Sequence, residues 1–100
     1  MQKYIVIVEA TLNDEGTQSS EFKEYSERAT ENNTKYGGMV KEKYLISKNI
    51  GQGTTPSLII LLEFPSKENA QKAFSNEKYL SLISLRELAF KEVKILMSVN

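Results

Sequence analysis

Leu58-Ile59-Ile60-Leu61-Leu62-Glu63-Phe64 decides the fold, because it is apolar at both parities and is interrupted by a single carboxylate. Its length suits a strand better than a helix, and Gly51, Gly53 and Pro56 before it and Pro65-Ser66 after it turn the chain at both ends. A strand that is apolar on both sides must be covered on both sides. Tyr4-Ile5-Val6-Ile7-Val8-Glu9-Ala10-Thr11 has the same character and is closed by Asn13-Asp14-Glu15-Gly16. These two segments read as the central strands of one sheet.

Between them the period changes. Phe22, Tyr25, Ala29 and Tyr36 recur at spacings of three, four and seven with Glu and Lys interleaved, which predicts an amphipathic helix over about 21–36. Ser19 or Ser20 can cap its start, and Gly37-Gly38 supplies the φ > 0 conformation that ends helices cheaply. Met39 to Ser47 fits a strand whose charged Lys41-Glu42-Lys43 suits a solvated sheet edge. After Pro65, the residues Ala70, Ala73 and Phe74 and then Tyr79, Ile83, Arg86 and Phe90 give two helical pieces broken near Asn76. Val93, Ile95, Met97 and Val99 alternate with polar neighbours in a closing strand.

The order is therefore β-α-β-β-α-β, an α+β chain whose right-handed crossovers give a four-stranded antiparallel sheet with both helices on one face, a ferredoxin-like arrangement. The 100 residues form a single domain, 1–100. The helices cover one face only, so the apolar second face of 4–8 and 58–62 predicts a second copy of the same sheet. Such a homodimer interface would bury roughly 2,000 Å² or more. A charge at Ile60 is the test that this reading suggests.

Composition narrows the chemistry. Thirteen Lys plus Arg balance thirteen Asp plus Glu, leaving no net field for a phosphate backbone, so nucleic acid is not an expected partner. The longest apolar runs are five residues, far from the roughly 20 that cross a bilayer, and Met1-Gln2-Lys3 leads straight into a strand without a signal-peptide core; we expect no membrane association and a cytoplasmic location. With neither Cys nor His, zinc, haem, iron-sulfur and thiol or His-based catalysis lose their usual groups, and no cofactor or metal is expected.

Glu63 is the first candidate, since a carboxylate within an apolar strand must be paired, neutral or used; the plain alternative is a partner at a strand end. Glu9 does not complete an acid pair with it. If the first and third strands are antiparallel neighbours, Glu9 lies opposite residues near Ile59 and Glu63 near Ile5, on the order of 14 Å apart at about 3.4 Å per residue. Arg86 follows Tyr79 by seven positions, two helical turns, so both can meet an anionic or planar guest, or the Arg stem can pack on the ring. Tyr25, Tyr36 and Phe74 are assigned to the core by their helical spacing. Gly51-Gln52-Gly53-Thr54-Thr55 lacks the Lys and the helix of a phosphate loop and reads as a hairpin connection. Asn32-Asn33-Thr34 matches the glycosylation tripeptide, but inside a predicted helix.

The opening Tyr4-Ile5-Val6, Tyr36-Gly37-Gly38, Leu62-Glu63-Phe64-Pro65-Ser66 and Asn76-Glu77-Lys78-Tyr79 with Leu85-Arg86 together resemble the family catalogued as domain of unknown function thirteen-thirty, of the dimeric α+β-barrel superfamily. The resemblance covers nearly the whole chain and implies a ferredoxin-like protomer and a sheet-to-sheet homodimer. It implies no reaction, and it raises Glu63, Tyr79 and Arg86 as ligand-binding candidates around one pocket. Met39 stands where that family's pattern often has Arg, and Glu15 to Ser20 lengthens the first loop. Three functions compete: a small-molecule-binding or accessory homodimer; a cofactor-independent isomerase or oxygenase, with Glu63 or a tyrosine moving a proton and Arg86 holding an oxyanion; and a structural assembly module.

Overall fold

A computed structural model describes residues 3–99; Met1-Gln2, read above as leading straight into the first strand, and Asn100 lie outside the described residues. The chain runs β1 (Tyr4–Leu12), a 3-10 turn (Gly16–Gln18), α1 (Ser20–Lys35), β2 (Met39–Leu45), β3 (Leu58–Phe64), α2 (Lys67–Ala73), α3 (Glu77–Leu80), α4 (Ile83–Ala89) and β4 (Phe90–Met97). The four strands form one antiparallel sheet in the order β2-β3-β1-β4, so the two most apolar segments are central, as their composition requires. Glu9 pairs with Ile59 and Ile5 with Glu63, the register expected from the sequence. The α+β, ferredoxin-like class is thereby established.

Side-chain chemistry sets the element ends. Ser19 Oγ accepts from the Phe22 N–H at 3.0 Å, so α1 begins at Ser20, and Glu21 and Lys35 complement the helix dipole. Gly37, at φ 80°, closes it where a Cβ would meet Pro65 at 2.6 Å. Asn76 both ends one helix and starts the next. Its amide nitrogen donates to the Lys72 and Ala73 carbonyls, and its Oδ1 accepts from the Tyr79 N–H at 3.0 Å. The predicted break at Asn76 is thus present, but a second break at Leu82 makes three helical pieces instead of two. Phe90, expected in the last helix, is instead the first residue of β4, and β2 stops at Leu45, short of Ser47. Lys41 has no partner in the register with β3, a bulge that interrupts the charged edge strand.

The core lies between the sheet and the helices: Tyr4, Val6, Leu62 and Phe64 pack against Ala70 and Ala73. These residues occupy the even-numbered face of β1 and β3. The odd-numbered face carries Ile5, Ile7, Ile59 and Leu61, flanked by Met39 on β2 and Leu96 on β4, which are 60% and 41% exposed. No helix covers it. Ile60, the position that the sequence offered for a test of this face, pairs with Val8 and packs against the core instead, because strand parity places it with Leu58 and Leu62.

Candidate functional site

A partly enclosed cavity of about 160 Å³ lies between α1 and the sheet. Val8, Ala10 and Ile60 form its floor, and Phe22, Tyr25 and Asn33 of α1 reach it from above. Phe22, Tyr25, Ala29 and Asn33 follow one another at spacings of three, four and four, so one helical face delivers all four. Phe90 closes one side, edge-to-face with Phe22 at 5.6 Å and with Tyr25 at 5.5 Å between ring centres. Lys43, on the exposed edge strand, is the single Lys, Arg, Asp or Glu side chain among the described lining residues.

Phe74 and Ile95 form a shared wall between this cavity and an open groove that also holds Gln71, Tyr79 and Arg86. Across that wall runs a hydrogen-bonded chain. Arg86 Nη1 donates to Tyr79 Oη at 2.9 Å, and the Tyr79 and Tyr25 hydroxyls share a hydrogen bond of 2.8 Å. The Arg86 Cζ also lies 5.9 Å from the centre of the Tyr79 ring, a cation–π distance. Tyr79 and Arg86 belong to different helices, yet the Leu82 N–H bonds to the Tyr79 carbonyl and the Arg86 N–H to the Leu82 carbonyl. These bonds carry the helical phase across the break, so a seven-residue spacing still brings the two side chains together.

Glu63 does not join them. Its neighbours Leu62 and Phe64 are buried under the helices, and Glu63 alternates to the uncovered face opposite Ile5 and Met39, where its carboxylate pairs with Lys41 at 3.8 Å. The structure therefore assembles Tyr79 and Arg86 with Tyr25, a residue that helical spacing had assigned to the core. Phe74 likewise borders open space on both sides of the wall. Asn33 appeared in the sequence only within a glycosylation tripeptide; in the structure Asn32 is 1% exposed, which removes it as an acceptor site in the folded protein. The signal for Asn33 was its phase: a polar residue four positions after Ala29 falls in the apolar stripe of α1.

Burial raises the pKa of the Tyr25 hydroxyl well above the ordinary tyrosine value of 10.0; Tyr79 adds to the shift and Arg86 opposes it. Tyr25 thus keeps its proton and is not a base over the whole physiological range, its hydroxyl free to donate or to accept. Near pH 10 an unfolded chain releases this proton while the folded chain keeps it, so the folded state binds more protons and stability must fall as pH rises further. We expect the melting temperature to decline above about pH 10, and ultraviolet absorbance to show that Tyr25 ionises only on unfolding, a step absent from a Tyr25→Phe variant. A phenolate signal for all five tyrosines in the folded protein would contradict this.

No group of three or more Asp or Glu side chains placed to hold a metal ion occurs among the described residues, and none of the described helices is long and apolar enough to cross a membrane. A family profile described as Domain of unknown function (DUF1330) matches residues 3–99. No curated protein matches the chain. Among solved structures, RPA0582, a protein of unknown function from Rhodopseudomonas palustris, superposes with a TM-score of 0.76 at 14% identity, over 98% of this chain and 83% of that one. A DABB family protein with a ferredoxin-like fold from Mesorhizobium loti gives 0.62 at 16% identity, over 99% and 98%. SnoaB, a cofactor-independent oxygenase from Streptomyces nogalater, gives 0.63 at 11% identity, over 100% and 96%. At these identities the likeness is one of fold.

Proposed function

This chain belongs to the family described as Domain of unknown function (DUF1330), and from the site that its fold builds we propose that it is a homodimeric small-molecule-binding or accessory protein. The ligand sits in the cavity between α1 and the sheet, and the uncovered sheet face joins two copies. One observation carries the binding reading: a cavity of about 160 Å³ whose described lining is apolar and aromatic apart from a few polar side chains at one wall and edge. Tyr79 and Arg86 act on it through Tyr25, orienting a hydroxyl that keeps its proton. Glu63 contributes to the dimer face, at the rim of the apolar patch with Lys41. A cytoplasmic location suits such a protein.

A cofactor-independent isomerase or oxygenase is the second reading, favoured by the Arg86–Tyr79–Tyr25 chain, which could steady an oxyanion, and by the fold shared with SnoaB. It needs a base, and no carboxylate is among the described lining residues. Native mass spectrometry of the protein as purified from cells tests the binding reading and the dimer together. The expected spectrum is a dimer of the 11.4 kDa chain carrying a discrete additional mass. A monomer would overturn the assembly, and a dimer that stays bare after incubation with a library of small ring compounds would overturn the binding role.

A further inference from the structure

We propose that the Asn33 carboxamide selects the ligand, and that the ligand is an uncharged single ring bearing a hydroxyl, of the size of phenol. This rests on the binding reading above and gives it a chemical class. Asn33 is 9% exposed and lines the cavity, yet its Oδ1 has no hydrogen-bond partner and its side chain bonds to no other described residue. The Asn32 Oδ1 is also without a partner, but its amide nitrogen donates to the Ala73 carbonyl at 2.7 Å and ties α1 to the end of α2, and Asn32 is not among the described residues that line the cavity. Asn33 serves the fold through its backbone alone, its carbonyl accepting from the Tyr36 and Gly38 N–H groups at 3.0 and 2.8 Å. A buried amide oxygen with nothing to bond is unfavourable, and one that borders open space, as the Asn33 Oδ1 does, can be met by a group from outside the chain.

The surroundings specify that partner. A dry apolar cavity of roughly 150 Å³ is known to accept benzene, so about 160 Å³ fits one six-membered ring with a small substituent. Phe22, Tyr25, Phe74 and Phe90 offer ring edges and faces. An anion would have to shed its water against this lining with Lys43, at the exposed edge, as the one positive charge among the described lining residues. A hydroxyl stays neutral and donates to the Asn33 oxygen.

Calorimetric titration of the full chain with phenol, toluene and benzoate tests the idea, with Asn33→Leu as the variant. Phenol and toluene have nearly the same shape, so their difference isolates the hydroxyl. The wild-type protein should bind phenol at least about tenfold more tightly than toluene, and benzoate more weakly than phenol. Asn33→Leu should abolish the preference while binding toluene no less tightly, and should melt at or above the wild-type temperature, which certifies its fold. Equal affinity for phenol and toluene in the wild type, or a preference that survives in Asn33→Leu, would mean that Asn33 does not select the hydroxyl and would overturn the proposal while leaving the cavity as a binding site. Failure of both rings to bind would overturn the proposal and the binding reading together.

Discussion

Leu61→Lys is expected to halve the mass of the protein in solution while leaving it folded. Leu61 sits at the centre of β3, paired with Ile7 on one side and Glu42 on the other, on the face that no helix covers. In a two-fold sheet-to-sheet dimer each substitution is present twice, so two ammonium groups would be taken out of water, and Glu42 across the strand pair, already hydrogen-bonded to Tyr44, offsets only part of that cost. At about 2 kcal/mol or more for each, the dissociation constant should rise roughly a thousandfold. In the monomer the same side chain reaches water. Sedimentation velocity together with circular dichroism reads both quantities: a folded monomer is the expected outcome, and a dimer of unchanged mass and melting temperature would remove the sheet face as the interface. Ile60→Lys is the matched control. One residue earlier, it points into the helix-covered core and should unfold the protein rather than dissociate it.

Phe64→Ala should produce the largest loss of stability of any single truncation here. Phe64 is 0% exposed, stacks edge-to-face on Phe74 at 6.0 Å between ring centres, and presses on Gly38, where a Cβ would overlap its ring. With α1 ending at Gly37-Gly38 on one side and α2 on the other, little can collapse into the space left behind. A buried Phe→Ala change in such a site costs about 3–5 kcal/mol, against about 5–15 for a whole small domain. At about 4–8 °C per kcal/mol for a chain of this size, the melting temperature should fall by about 12 °C or more. A change of only a few degrees by calorimetry would show that Phe64 does not anchor the helices to the sheet. Because Phe74 leans on Phe64 and borders both the cavity and the groove, ligand affinity should weaken as well.

Much of the architecture was legible before any coordinates. Two segments apolar at both parities had to be central strands, the Ser19 cap and the Gly37 stop bounded α1 to within a residue, and an antiparallel pairing of those strands put Glu9 near Ile59. The helix–strand junction at Phe90 was not, because an aromatic residue satisfies a helical period and a strand equally well and only the fit against Leu12 decides between them.

The functional residues divide along the same line. Sequence spacing put Tyr79 and Arg86 on one side, because helical phase is a local property that persists even across the break at Leu82, and the structure joins them by a hydrogen bond. It equally determined that one sheet face would need a cover, since that follows from which residue types alternate along the strands. Tertiary structure alone decided that Glu63 faces away from them, that Tyr25 completes their hydrogen-bonded chain, and that the Asn33 Oδ1 borders the cavity without a partner. Those three facts depend on how closely α1 settles on the sheet and on which side of it each strand residue falls. Periodicity names the residues on a face; only packing in three dimensions shows whether the space between two faces is filled or left open.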